Sequence, residues 1–221
     1  MSNVLASFKA KLQKMDKDFK TASALHLKIG VRRKLTAGEI QMCQLVFKNS
    51  IDYSKVLINI GGYIHSKTGN AMSPAGEIVL SRNEYINNPD FSLSRPSLKH
   101  WFIHEMTHIW QYQNGTKTAW LGLKQLCSGG YTTEVQSIDS GIELEAYDTD
   151  LTGRDYNKKF QEFNFEQQGR IIEFYFDNNF LKNDEPYRAH LQISKKLGNI
   201  TARILTDFLK NPSDKMLLPR N

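Results

Sequence analysis

The sequence predicts an α+β domain in which helices dominate, with a few strands in its first half. Three observations carry this. Apolar residues make up 40% of the 221 positions, enough for a sizeable core. Two short β-branched runs, KVLINI and GEIVLS, stand close together in the first half of the chain. From residue 96 onwards, helical periodicity recurs with start and stop signals around it.

At the N-terminus, Leu5, Phe8, Leu12, Met15 and Phe19 fall at helical spacing between lysines. Residues 1–30 are therefore expected to form a helix, either packed on its own domain or serving as a docking appendage. The start lacks a basic n-region, an apolar run and a cleavage site, so no secretory signal is expected and synthesis is assigned to the cytoplasm. No stretch approaches the roughly 18 apolar residues of a membrane span. The net charge is +6 and the pI about 9.2, but the lysines are spread out, which argues against nucleic-acid binding. Cys43 and Cys127 lie far apart with no CxxC pair, which excludes a cysteine zinc site.

LTAGEIQMCQLVFKNS is expected to be a helix with Ile40, Cys43, Val46 and Phe47 on one face. The Gly- and Asn-rich piece between the two β-branched runs reads as a loop. Pro96 suits a first helical turn and Gly115 a stop, which predicts a helix over Pro96–Gln113. Between residues 116 and 140 the pattern weakens, consistent with a short helix and a lid. In FNFEQQGRIIEFYFDNNF, Asn164 and Gln167 form a capping-box pair at the start of a helix. A last helical segment runs through RAHLQISKKLGNITARILTDFLK, with a break expected at Gly198 and Asn199. The final residues read as a tail. The domain division is 1–30 for the N-terminal helix, 31–182 for the core and 183–221 for the C-terminal helical segment and tail.

The chemistry is concentrated in FIHEMTHIWQYQNG. On a helix, positions i and i+4 share a face, so His104 and His108 can aim two imidazoles at one point. Two nitrogens at about 2 Å satisfy half of a tetrahedral zinc site. Glu105 projects from the flank, where a carboxylate can reach a metal-bound water without ligating the metal. This is H-E-x-x-H, the zinc-peptidase signature, expected by chance only about 0.01 times at this composition. His100 is assigned to the surface or a supporting role, and His26, His65 and His190 to structural ones. A third ligand is needed. The pattern with a third histidine six residues on is excluded, because Gln111 and Asn114 occupy its glycine and histidine places. That leaves a downstream glutamate: Glu134, Glu143, Glu145, Glu166 or Glu173.

Four blocks in order, LTAGEIQMCQLVFKNSIDYSKVLIN, AMSPAGEIVLS, FIHEMTHIWQYQ and FNFEQQGRIIEFYF, resemble the zincin-like metallopeptidase domains attached to VgrG spike and Rhs-type proteins of bacterial type VI secretion systems. The resemblance spans about residues 35–180. It implies a helix-rich, zincin-like fold of the gluzincin type, with the small sheet packed on the HExxH helix. It implies Zn2+ held by His104, His108 and Glu166, the last from the EQQ helix, with Glu145 as the alternative. It also implies an antibacterial toxin with a protein or peptide substrate, a cognate immunity protein and a spike component as partners, and action in the periplasm of target cells. The family's domains usually follow a large delivery protein, whereas this chain opens on a methionine. The readings on that point are a free cargo effector, an excised domain or a housekeeping relative. TKTAWLGLKQLCSGGYTTEVQS reads as an insertion that shapes or covers a groove.

The expected mechanism is attack by a zinc-activated water with Glu105 as general base. Tyr147, Tyr175 and His190 are the candidate oxyanion donors, and GEIVLS offers an edge for an extended peptide. Two other readings remain open at this point: a non-catalytic zinc-stabilised docking or adaptor domain, and a zinc amidase acting on cell-wall peptides. The intact Glu105 favours an enzyme, since a structural site needs no base.

Overall fold

A computed structural model describes residues 30–60, 76–127, 130–181 and 189–220. The expected N-terminal helix and the loop between the β-branched runs lie outside these residues. The first described strand, β1 (Arg32–Lys34), pairs antiparallel with β2 (Leu57–Ile60), opposing Arg33 to Ile58. β2 pairs in parallel with β3 (Glu77–Leu80), opposing Ile58 to Ile78, so among the described residues the sheet order is β1-β2-β3 with β3 at an edge. Between β1 and β2 runs α1 (Ala37–Phe47), started by a capping box of Thr36 and Glu39. The Glu39 carboxylate is fully buried, yet it is held by Arg33 Nη1 and Nη2, each at 2.8 Å, and by the Phe91 N–H at 2.9 Å. A short helix, α2 (Arg82–Asn87), follows β3.

The central helix is α3 (Pro96–Gln113), with Pro96 in its first turn and Asn114 as its C-cap. Its middle is buried from Phe102 to Gln111. Phe102 stacks on Phe91, and Trp110 packs edge-on against Phe208. Full burial of each such side chain contributes about 1.5–3 kcal/mol. Next come α4 (Thr118–Cys127) and an antiparallel hairpin, β4 (Glu134–Ser137) with β5 (Gly141–Leu144). Helix α5 (Phe165–Phe180) packs along α3, and α6 (Ala189–Ile204) packs along α5. No helix among the described residues is long and apolar enough to cross a membrane.

Two expectations need correction. The helix over residues 189–204 runs unbroken through Gly198, and the interruption comes at Leu205, ahead of α7 (Thr206–Lys210). A Cβ on Gly198 would lie 2.6 Å from Asn178 Nδ2, so this glycine serves the close approach of α6 to α5. The final residues are not a loose tail. The Trp110 indole donates to Pro212 O at 2.7 Å, Gln168 Nε2 donates to Leu217 O at 3.0 Å, and the Leu217 side chain is buried. Leu197, Leu205, Phe208 and Leu217 belong to the same apolar core as α3.

Candidate metal centre

His104 and His108 stand one turn apart on α3, with ring planes at 80° to each other. Their Nε2 atoms each lie 3.1 Å from one and the same oxygen, Oε2 of Glu166. All three residues are buried. Glu166 sits in the first turn of α5, positioned by the Asn164 cap, whose side chain accepts the Gln167 N–H at 2.8 Å. Asn164 Nδ2 also donates to Ala146 O at 3.1 Å, which draws the stretch carrying Tyr147 over the same end of the helix. On the next turn, a Cβ on Gly169 would stand 2.7 Å from His104 Cε1. The helix therefore approaches the His104 ring as closely as it does only because residue 169 has no side chain.

The outer ring nitrogens are also engaged. His104 Nδ1 lies 2.8 Å from Glu173 Oε2, an acceptor that requires the hydrogen on Nδ1. His108 Nδ1 lies 2.9 Å from Gln111 Oε1. The orientation of that amide is set by its neighbours, because Gln111 Nε2 donates to Phe165 O at 3.0 Å and to Gln168 Oε1 at 2.9 Å. Its oxygen therefore faces His108, and His108 also carries its hydrogen on Nδ1. When neutral, both rings then present Nε2 lone pairs to one point, beside a carboxylate oxygen. Two imidazole nitrogens and one carboxylate oxygen form a donor set that fits zinc with one position left for water.

Electrostatics in the metal-free chain agree with this geometry. Burial alone would lower the pKa of His104, but hydrogen bonds to Glu166 and Glu173 outweigh it and raise it to about 10. Burial likewise opposes a charge on His108, and the Glu166 carboxylate overrides it and raises the pKa. Burial pushes Glu166 up, but the two imidazoles hold it well below the usual carboxylate range. The cluster thus attracts positive charge, which either protons or a metal ion can supply.

Glu105 is buried on the same helix, near enough for its charge to act on His108, Tyr131 and Tyr147. The Tyr131 hydroxyl donates to Glu166 Oε1, and the Tyr147 ring lies 5.8 Å from His104. Burial first, and the Glu166 charge second, raise both phenol pKa values, so both hydroxyls keep their protons.

The other expected residues fall elsewhere. Glu134 and Glu145 are exposed, and Glu143 is ion-paired with Arg170. Tyr175 packs against Phe180, while His190 bonds Glu173 at 2.9 Å and stacks on His100 with 3.8 Å between centroids. His26 and His65 lie outside the described residues. Sequence reasoning missed Tyr131, which sits in the stretch read as an insertion. It also missed the roles of Gln111 and Glu173, whose only signals were helical spacings: three residues after His108 and seven after Glu166.

No family model matches the chain. Over 145 residues, 65% of its length, it is 33% identical to the type VI secretion system spike protein VgrG2b of Pseudomonas aeruginosa. The match spans only 13% of that protein. The solved effector domain of Pseudomonas aeruginosa VgrG2b superimposes with a TM-score of 0.52 at 24% identity, covering 86% of this chain and 98% of that domain. The chain is thus similar in sequence to a type VI secretion spike protein, and it shares the fold of that protein's effector domain.

Proposed function

We propose that the chain is a zinc metallopeptidase with a zincin-like fold of the gluzincin type, acting as an antibacterial effector of a type VI secretion system. The observation that carries the reading is the convergence of His104 Nε2, His108 Nε2 and Glu166 Oε2 in a buried cluster, with a further carboxylate, Glu105, beside it. The similarity to VgrG2b supports the delivery half of the proposal. His104, His108 and Glu166 hold the ion. A zinc ion in such a site supplies polarisation of a carbonyl and a lowered pKa for water. Glu105 accepts the proton of the attacking water and passes it to the leaving amine. Tyr131 and Tyr147, both carrying their protons, offer hydrogen-bond donors for the oxyanion of the tetrahedral intermediate. The substrate is a protein or peptide in the periplasm of a rival cell, and the partners are a spike component and a cognate immunity protein.

The test is growth of a bacterium expressing the chain with and without an added export signal, beside Glu105→Gln. The exported wild type is expected to be toxic, the cytoplasmic form weakly so, and Glu105→Gln inert while keeping its zinc and its fold. A zinc-loaded Glu105→Gln protein as toxic as the wild type would refute the peptidase reading. Killing by the cytoplasmic form alone would place the target inside the cell.

A further inference from the structure

We infer that Glu173 is a positioning residue for His104, and that Arg170 and His190 in turn hold Glu173 in that role. The inference rests on the metal reading of the His104, His108 and Glu166 centre. Glu166 and Glu173 are two turns apart on α5, so they lie on one face, and His104 stands between them. Glu166 meets the ring at Nε2 at 3.1 Å, and Glu173 meets it at Nδ1 at 2.8 Å. The two nitrogens are on different sides of the ring, so Glu173 cannot join an ion held at Nε2. Its other oxygen, Oε1, accepts from Arg170 Nη1 at 2.8 Å and from His190 Nε2 at 2.9 Å. Glu173 is buried, and with these donors its carboxylate is held in a single orientation.

An outer carboxylate of this kind fixes the tautomer and ring direction of a ligating histidine and raises its basicity. The two ligand histidines are backed differently. His104 is backed by a charged carboxylate and His108 by the neutral amide of Gln111. The support also reaches beyond the two long helices. Arg170 is paired with Glu143 on the β4–β5 hairpin, and His190 comes from α6. Residues after position 188 therefore belong to the machinery that aims His104.

The experiment is zinc titration of the chelator-stripped full chain against a chromophoric chelator, for the wild type, Glu173→Gln, His190→Ala and His108→Ala, with folding followed by circular dichroism. Glu173→Gln is expected to weaken zinc binding by about 10–100-fold, and His190→Ala by less than about tenfold. In the zinc-loaded proteins, nitrogen NMR should show the His104 Nδ1 hydrogen protected in the wild type and exchanging faster in both Glu173→Gln and His190→Ala. A folded Glu173→Gln protein with wild-type affinity and an equally protected Nδ1 hydrogen overturns the inference. If Glu173→Gln does not fold, His190→Ala decides, and unchanged affinity and exchange there overturn it. His108→Ala separates this failure from failure of the metal reading. If His108→Ala binds zinc as the wild type does, the centre itself has been misassigned and the role of Glu173 falls with it.

Discussion

Two histidine–carboxylate clusters lie side by side, and they share the spacing rule that makes such clusters visible. His100, His104 and His108 follow one another at four-residue intervals on α3, facing carboxylates from α5. In both clusters, His104–His108–Glu166 and His100–Glu173–His190, the donor atoms come within 4.8 Å of one another. In the first, the rings are nearly perpendicular and both Nε2 atoms point at one oxygen. In the second, the rings stack at 15°, so their in-plane lone pairs run side by side and share no apex. The second cluster also already holds a cation, the Arg170 guanidinium on Glu173. Proximity of donors does not make a metal site; the direction of the lone pairs and the charge already present decide it.

The sharpest way to break this comparison is to disable each cluster in turn. Glu166→Gln is expected to lower zinc affinity by more than the roughly 100-fold typical of losing an outer partner, whereas His100→Gln should leave it within about tenfold of the wild type. Equal losses measured by chelator competition would show that both clusters take part. A smaller effect is expected from Gly169→Ala. The added methyl meets the His104 ring at 2.7 Å, and displacing that ring should cost about 10–100-fold in zinc affinity. Alanine itself favours the helix by about 0.8–1 kcal/mol over glycine, so the loss should appear in metal binding more than in helix content.

The gentlest test is titration of the metal-free chain by histidine NMR. Burial lowers the pKa of His100 below the ordinary 6.5, while Glu166 and Glu173 override burial at His104 and raise it to about 10. The signs for stability are opposite. The raised His104 pKa contributes stability that is fully present below about 6.5 and is lost as pH rises through about 10. The lowered His100 pKa makes folding less favourable as pH falls below 6.5. The melting temperature of the metal-free protein should therefore fall between pH 7 and 10, and His104→Gln should flatten that slope. A metal-free wild type with no such slope would mean that His104 is not held as an imidazolium by its two carboxylates.

Much of this arrangement was legible in the sequence, and the exceptions have physical causes. The bounds of α3 were marked by Pro96 and Gly115, and the start of α5 by Asn164 and Gln167, because capping chemistry is local. Gly198 misled because a glycine signals either a break or a close approach, and only the neighbouring Asn178 distinguishes them. The third member of the His104–His108 cluster was left open by periodicity among five glutamates. Only the resemblance pointed to Glu166, since its position depends on how two distant helices pack. Gln111 was read only as occupying the glycine place of the three-histidine pattern. Its actual contact, with His108 Nδ1, depends on which way a buried amide faces, and that is decided by Phe165 and Gln168.

The last residues of the chain reach the same centre. Leu217 O takes a hydrogen bond from Gln168, Gln168 takes one from Gln111, and Gln111 orients His108. Pro212 O meanwhile holds the indole of Trp110, two residues from His108. In genetic terms, a stop codon near position 211 should behave like a missense allele in the HExxH helix, although it alters none of His104, His108 and Glu166. A selection for loss of metal binding should collect nonsense alleles at codons near position 211, where a dispensable segment would yield none.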